Sequence, residues 1–499
     1  MKKTLSIFSM KSQIIFLFVL CFVFLQVEKT IYSQNIKELK SVIEKHSKGK
    51  TLKNGFVAVY ASFADDCKEI ISFNSEKSLA PASNLKVVTS AAALMINGED
   101  HKFVTKIYHD GKLDDSGKLN GNIYIVGGGD PTLGSSQVRG SVELDELMNN
   151  IKNAISYFGI KEINGNVLAD DLLYERNPVP NYWPWIDIGN YYGAGTSALC
   201  IYDNLYHLEF KPGEKVGDPA DVIGTVPNIP GLKFINYMKT GAVGSGDNGY
   251  IYNAPFSYEA TLRGTIPAGV EKFSIKGSMP DPALFTAQKI IEVLKDNGIP
   301  VSGFSSKVEE KGNYNENKLI YKIDSPPLKD IVYIVNKRSN NLYTEQLLVS
   351  LFKEKDSQSS TRKGIKAMMD FSKKAGIPIE GVELDDGSGL SRTNMITTKC
   401  IASVLNYMSN QKEFESYYFS FPIAGDTTDI GGFKRFGLGT VIEKNARIKS
   451  GTISGVRAFS GYMKNKSGRL ISFSMIANNY TGSSKNVDEI FKEILVLLY

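Results

Sequence analysis

Ser83 and Lys86, in "PASNLK", stand three residues apart, the separation at which a lysine amine on a helix can reach a serine hydroxyl. A serine hydroxyl is a poor nucleophile until a neighbouring base takes its proton. Histidine is the usual base, but the chain has only His46, His101, His109 and His207, none in its second half, and no G-x-S-x-G elbow. A lysine serves instead when burial and nearby positive charge hold it neutral. A helix start also favours negative charge developing on Ser83. The S-x-x-K spacing alone decides nothing, because it recurs at Ser47/Lys50, Ser350/Lys353, Ser360/Lys363 and Ser409/Lys412. Only the copy at 83 opens an apolar helix just after a strand hairpin. By itself, Ser83 also reads as a helix N-cap.

A lysine-activated serine needs partners. "KRSNNLYTEQ" offers Ser339 and Asn341 just before a helix. Ser339 would relay a proton toward a leaving amine, and the Asn341 amide would hold substrate and Lys86 together. Helix capping is the competing use of both. K-[ST]-G occurs at Lys239, Lys449 and Lys466. Lys239 precedes the S-x-N motif in glycine-rich material, and Lys466 sits in an apparent hairpin turn. Lys449 lies on the strand-like "ARIKSGTI", with Gly451 where a close backbone approach is needed. Its ammonium is expected to bind a carboxylate and to depress the affinity of Lys86 for a proton.

The elements that must carry these groups follow from periodicity. Residues 36 to 46 read as an amphipathic helix, "GFVAVYASF" (55 to 63) as a half-buried strand, and "EIISFN" (69 to 74) as its hairpin partner. Leu85, Val88, Ala92 and Met95 recur at helical spacing up to Gly98, a C-terminal cap. Residues 100 to about 325 read as inserted β-rich material, punctuated by "GGGDP", "NPVPN" and "GSGDNG". Helices return from about 326. "ARIKSGTI", "VRAFSGYMKN" and "RLISFSMIAN" then read as strands, with a terminal helix from Val487. The two ends of the chain are expected to share one sheet.

At 499 residues, 42% of them hydrophobic, the chain suggests two to four packed domains and has a globular composition for which disorder is not the default reading. Lys2, Lys3 and Lys11 precede the apolar run Ile14 to Leu25, which is too short for a membrane span and reads as a secretory signal ending near Ser33. A retained anchor is the competing reading. Without residues 1–33 the chain carries 54 basic and 52 acidic side chains, too balanced for a nucleic-acid partner. Cys67, Cys200 and Cys400 leave room for one disulfide and have no metal spacing.

Together these motifs resemble peptidase family S13, the three-domain, low-molecular-mass penicillin-binding proteins that act as serine D-alanyl-D-alanine carboxypeptidases and endopeptidases. The resemblance rests on "PASNLKVVTSAAAL", "GNIYIVGGGDPTL", "INGNVLADD", "RGTIP", "VNKRSNNLYTEQLL", "DDGSGLSRTN" and "KSGTISGVRAFSGY", in that order. It implies an α+β fold, a transpeptidase-like domain of the serine β-lactamase type (antiparallel sheet flanked by helices) with two inserted β-rich domains. The catalytic domain would comprise 34–99 and 323–499, the second domain 100–202 and 263–322, and the third 203–262, after a signal peptide at 1–33.

By the same resemblance, Ser83 is the acylated nucleophile, Lys86 its base, Ser339 and Asn341 the relay and positioning pair, and Lys449 the third-motif lysine. Backbone N–H groups of Ser83 and Thr452 would form the oxyanion hole, and the hydroxyls of Ser450 and Thr452, around Gly451, would bind the substrate's terminal carboxylate. "YWPWIDIGNYYGAG" suggests a pocket for the diamino-acid side chain of the stem peptide, with Trp183 and Trp185 nearby. There, with Tyr192 part of the pocket, Asp187 would pair with the ammonium and Arg392, next to Leu390, with the carboxylate. A structural loop anchored by buried aromatics is the alternative. The implied partners are peptidoglycan stem peptides and, as covalent inhibitors, β-lactams. No metal or organic cofactor and no nucleic acid is implied, membrane association is at most peripheral, and the location is the periplasm or cell envelope. The rival functions are a serine β-lactamase and a non-catalytic penicillin-sensing or wall-binding module.

Overall fold

Both ends of the chain build one five-stranded antiparallel sheet, in the order Arg447–Ile453, Val456–Lys464, Leu470–Asn478, Phe56–Phe63, Glu69–Phe73. The computed structural model describes residues 36–354 and 357–499, so the expected signal segment lies outside the described residues. Val57, Val59, Ala61 and Phe63 pack with Leu39 and Ile43 of the helix at 36–47 and with Val487, Phe491 and Ile494 of the helix Ser484–Leu498. Ala58, on the opposite face, joins a second core with the helices Lys86–Asn97, Leu328–Arg338 and Thr398–Ser409. The strand Phe56–Phe63 is therefore covered on both faces, where alternation had suggested one. Small side chains at Ala58 and Ala61 admit helices close to the sheet, and the covering helices come from distant parts of the sequence. The terminal helix begins at Ser484, three residues before the expected Val487.

The inserted material holds a third core. Its five-stranded sheet runs Ser305–Lys307, Val167–Asp170, Ile123–Val126, Val104–His109, Leu319–Asp324. The helices Leu144–Tyr157 and Pro282–Asp296 contribute to the same apolar core, so this part is less purely β than its punctuation suggests. Further along, Leu205–Lys211 pairs with Asp221–Val226 and Phe273–Ser278, and Glu259–Pro267 pairs with Lys233–Asn236, Lys239–Gly241 and Asn248–Tyr252. The boundary expected between 262 and 263 thus falls inside the strand Glu259–Pro267, and pairing to Phe273–Ser278 carries this unit past it. A strand that serves three neighbours cannot be divided between two domains without unpairing its backbone.

Three details of the first sheet and its helices position the site. A single 3-10 turn, Ala82–Leu85, leads into the helix Lys86–Asn97. The helix Leu328–Arg338 ends at Ser339 in a left-handed conformation and the chain restarts as the helix Asn341–Val349. The strand Arg447–Ile453 is the edge of the sheet.

Candidate active site

Ser83 is half-buried in the 3-10 turn, after Ala82 at φ 47°. A non-glycine residue in that region costs roughly 1–3 kcal/mol and persists only where the surroundings impose it. Two glycines do so here. A Cβ on Gly451 would meet the Pro81 carbonyl at 2.4 Å and the Ser83 nitrogen at 3.0 Å. A Cβ on Gly389, itself at φ 82°, would meet the Ala82 carbonyl at 1.9 Å. The serine turn is thus clasped between an edge strand and the "DGSGLS" loop at distances only glycine permits. Asn84 satisfies its buried amide with nitrogen toward the Lys449 carbonyl (2.6 Å) and oxygen toward the Ser460 hydroxyl (2.8 Å), tying turn to sheet. Ser83 does not cap the helix, whose N-cap is Leu85.

Lys86 is fully buried, and its Nζ lies 2.9 Å from Ser83 Oγ, 2.7 Å from Asn341 Oδ1 and 2.7 Å from the Ser388 carbonyl. The two carbonyl oxygens can only accept. A neutral amine has two hydrogens and one lone pair, so it satisfies both carbonyls and is left to accept the Ser83 proton. Once protonated it has three donors for the same three oxygens. The cradle therefore suits both states of a base that must take and return a proton. Burial brings the Lys86 pKa down to about 7, against the opposing pull of Asp386 and Glu345.

Those acids are fully buried and hold the loop that supplies the Ser388 carbonyl. Glu345 accepts from the Gly387 and Ser388 N–H groups at 3.1 and 2.7 Å. Asp386 accepts from Trp183 Nε1 (2.8 Å), Gly389 N (2.8 Å), Ser391 N (2.6 Å) and Asn394 Nδ2 (2.7 Å). Burial raises both pKa values, that of Glu345 further because of Asp386.

Ser339 stands at φ 57°, ψ 41° and accepts a 2.9 Å hydrogen bond from the buried Lys449, which also donates to the Ser450 carbonyl at 2.6 Å. Helix capping falls to Asn340, whose side chain accepts from Tyr343 N, and this leaves Ser339 and Asn341 free for the site. Asn341 donates its amide N–H to the Tyr192 carbonyl at 2.8 Å while its oxygen takes Lys86. One of its two N–H groups is thus already held by the inserted domain. Lys449 is itself driven well below the ordinary lysine value by burial, then by Lys86 and Arg457. Burial, and not the Lys449 charge expected from sequence, is the main cause of the Lys86 shift. Lys239 and Lys466 are exposed, the first on a strand of the inserted unit and the second in the turn before Leu470.

Tyr192 Oη donates to Asp187 Oδ1 at 3.2 Å, and burial raises the Asp187 carboxyl while Arg392 opposes it. Arg392 is exposed and donates to the Ser454 carbonyl at 2.9 Å, with Leu390 half-buried beside it. The two tryptophans part company: Trp183 is buried on Asp386, and Trp185 is exposed beside Tyr252. Ser450 is half-buried, and exposed Thr452 accepts from Arg457 Nη1. Sequence reasoning missed Glu345, Asp386 and Arg457 as contributors. All three lie within segments quoted for the motifs, but only the fold shows what they touch. Cys67, Cys200 and Cys400 are free thiols, so they form no disulfide.

Residues 39–497 match the D-Ala-D-Ala carboxypeptidase 3 (S13) family. The chain belongs to that family. It is similar to a D-alanyl-D-alanine carboxypeptidase of an Actinomadura species, 28% identical over 83% of this chain and 76% of that one. It is also 27% identical to the D-alanyl-D-alanine carboxypeptidase DacB of Haemophilus influenzae, over 83% of each chain. The crystal structure of penicillin binding protein 4 (dacB) from Haemophilus influenzae superposes with a TM-score of 0.76 at 23% identity, covering 92% of this chain and 98% of that one. The fold is thus the α+β fold of that penicillin-binding protein. Among the described residues, no helix is long and apolar enough to cross a membrane.

Proposed function

We propose that this S13-family chain is a serine D-alanyl-D-alanine carboxypeptidase, able to act also as an endopeptidase, that works on peptidoglycan stem peptides through an acyl-enzyme on Ser83. The observation that carries the reading is the cradle of Lys86: a buried amine of lowered proton affinity, 2.9 Å from a half-buried serine hydroxyl. In acylation Ser83 Oγ attacks the carbonyl carbon of the penultimate D-alanine and its proton passes to Lys86 Nζ. The carbonyl oxygen becomes an oxyanion at the free edge of Arg447–Ile453, where the N–H groups of Ser83 and Thr452 would receive it. The C–N bond then breaks, and the leaving nitrogen takes a proton through Ser339, which Lys449 holds in place. Water attacks the ester by the reverse route and restores Ser83. β-Lactams would enter by the same first step and stay as esters.

The pocket for the stem side chain belongs to the same reading. Tyr192 connects it to the reacting centre, since its hydroxyl bonds Asp187 and its carbonyl holds Asn341, which in turn holds Lys86. Asp187 would take an ammonium, and Arg392 beside Leu390 a carboxylate. Ser450 and Thr452 would take the terminal carboxylate. A wall-peptide substrate requires export to the periplasm or cell envelope.

The test is D-alanine release from diacetyl-L-Lys-D-Ala-D-Ala by the wild type and by Ser83→Ala. Release that depends on Ser83 is expected, and an inert wild type would leave only a binding module. Rapid nitrocefin turnover in place of stable penicillin labelling would make the protein a β-lactamase.

A further inference from the structure

The hydroxyls of Ser450 and Thr452 carry no charge, and a terminal carboxylate leaving water needs more than two neutral donors. Arg457 faces Thr452 across the antiparallel pair Arg447–Ile453/Val456–Lys464. Its Nη1 donates to Thr452 Oγ1. Its other edge is clamped by Asp488 of the terminal helix, Nε at 2.6 Å and Nη2 at 3.0 Å. The guanidinium also lies 4.8 Å from the Phe459 ring centroid. Three of the five N–H groups are thereby spoken for, and one hydrogen remains on each terminal nitrogen. Because Arg457 donates into Thr452 Oγ1, the hydroxyl's own hydrogen is free to turn toward an incoming acceptor. Thr452 is exposed, so that direction is open.

We infer that Arg457, held by Asp488, is the cationic anchor for the carboxylate next to the scissile amide, binding it jointly with Thr452 and selecting free-acid over neutral chain ends. This inference rests on the carboxypeptidase reading above. It adds the source of the charge: a side chain on the neighbouring strand, outside the three motifs. The buried Lys449 is directed to Ser339 and to the Ser450 carbonyl, and its affinity for a proton is lowered by burial first and then by the charges of Lys86 and Arg457. One lysine is therefore not required both to hold Ser339 and to neutralise the substrate.

The experiment compares kcat/KM for a D-Ala-D-Ala peptide ending in a free acid with the same peptide ending in a carboxamide, for wild type, Arg457→Gln and Arg457→Lys. Loss of one charge-assisted contact predicts a drop of about 10- to 100-fold for the acid in Arg457→Gln, expressed mainly in KM, and under about 3-fold for the amide. Arg457→Lys keeps the charge and loses the fork, so it should fall between wild type and Arg457→Gln on the acid alone. Equal losses on both substrates in either variant would show a structural role and overturn the inference. So would an unchanged preference in Arg457→Gln. A wild type that releases no D-alanine would overturn the parent reading and this inference with it, whereas an active enzyme with unaltered preference overturns this inference alone.

Discussion

The proton logic of Lys86 fixes how acylation must respond to pH. With a pKa of about 7, the working form is the neutral amine, so activity is present above that value and lost below it. At pH 5 about 1% of Lys86 would be neutral and at pH 8 about 90%, which makes the second-order rate of acylation roughly 100-fold lower at pH 5. The logarithm of that rate should climb with unit slope from pH 5 to about 6.5, bend near 7 and level off by 8. A fluorescent penicillin in stopped flow measures it directly, since β-lactam acylation reports the first step without product release. An exposed lysine would behave differently, because near 10.5 the rate would still rise about tenfold per unit between pH 7 and 9. That unbroken rise would refute the claim that burial neutralises Lys86. Lys86→Arg supplies the control: a guanidinium keeps its proton, and acylation should fall by about 10²- to 10⁴-fold with no bend near 7.

Other perturbations follow from the same geometry. Gly451→Ala places a methyl 2.4 Å from the Pro81 carbonyl, so the edge strand must retreat from Ser83; penicillin labelling should slow by about 100-fold. Ser339→Gly relieves a left-handed serine and gives up the Lys449 hydrogen bond, so stability by urea titration should stay within about 1 kcal/mol of wild type. D-alanine turnover in that variant should nevertheless fall by about 10²-fold or more. Lys337, on the helix that ends at Ser339, forms a 2.6 Å ion pair with Asp429 from a distant turn, and both side chains are buried. Lys337→Met leaves the buried Asp429 carboxylate, among the described residues, with the Ile423 N–H as its one remaining partner, and the urea midpoint should drop by the equivalent of about 3–5 kcal/mol.

The motif segments were legible because each combines a chemical requirement with a local pattern. Ser83 and Lys86 share a helical face, Ser339 and Asn341 straddle a helix break, and Gly451 sits where a strand meets the serine turn. What stayed illegible depends on contacts across the fold. Glu345 and Asp386 look like ordinary acids in sequence and become loop anchors only when Gly387, Ser388 and Trp183 fold around them. Arg457 gains its meaning from Asp488, 31 residues away on another element. Phe56–Phe63 looked half-buried because its second cover comes from helices near 90, 330 and 400. The same limit hid the course of Glu259–Pro267, whose three partners are separated in sequence by loops that mimic domain edges.

The central claim is that Ser83 is the hydroxyl that forms the ester, with Lys86 as its base. Peptide mapping by mass spectrometry of the protein trapped with benzylpenicillin tests it most directly. The penicilloyl mass should appear on the peptide containing Ser83 and vanish in Ser83→Ala. A stoichiometric adduct on any other residue, or one that survives that substitution, would contradict the account.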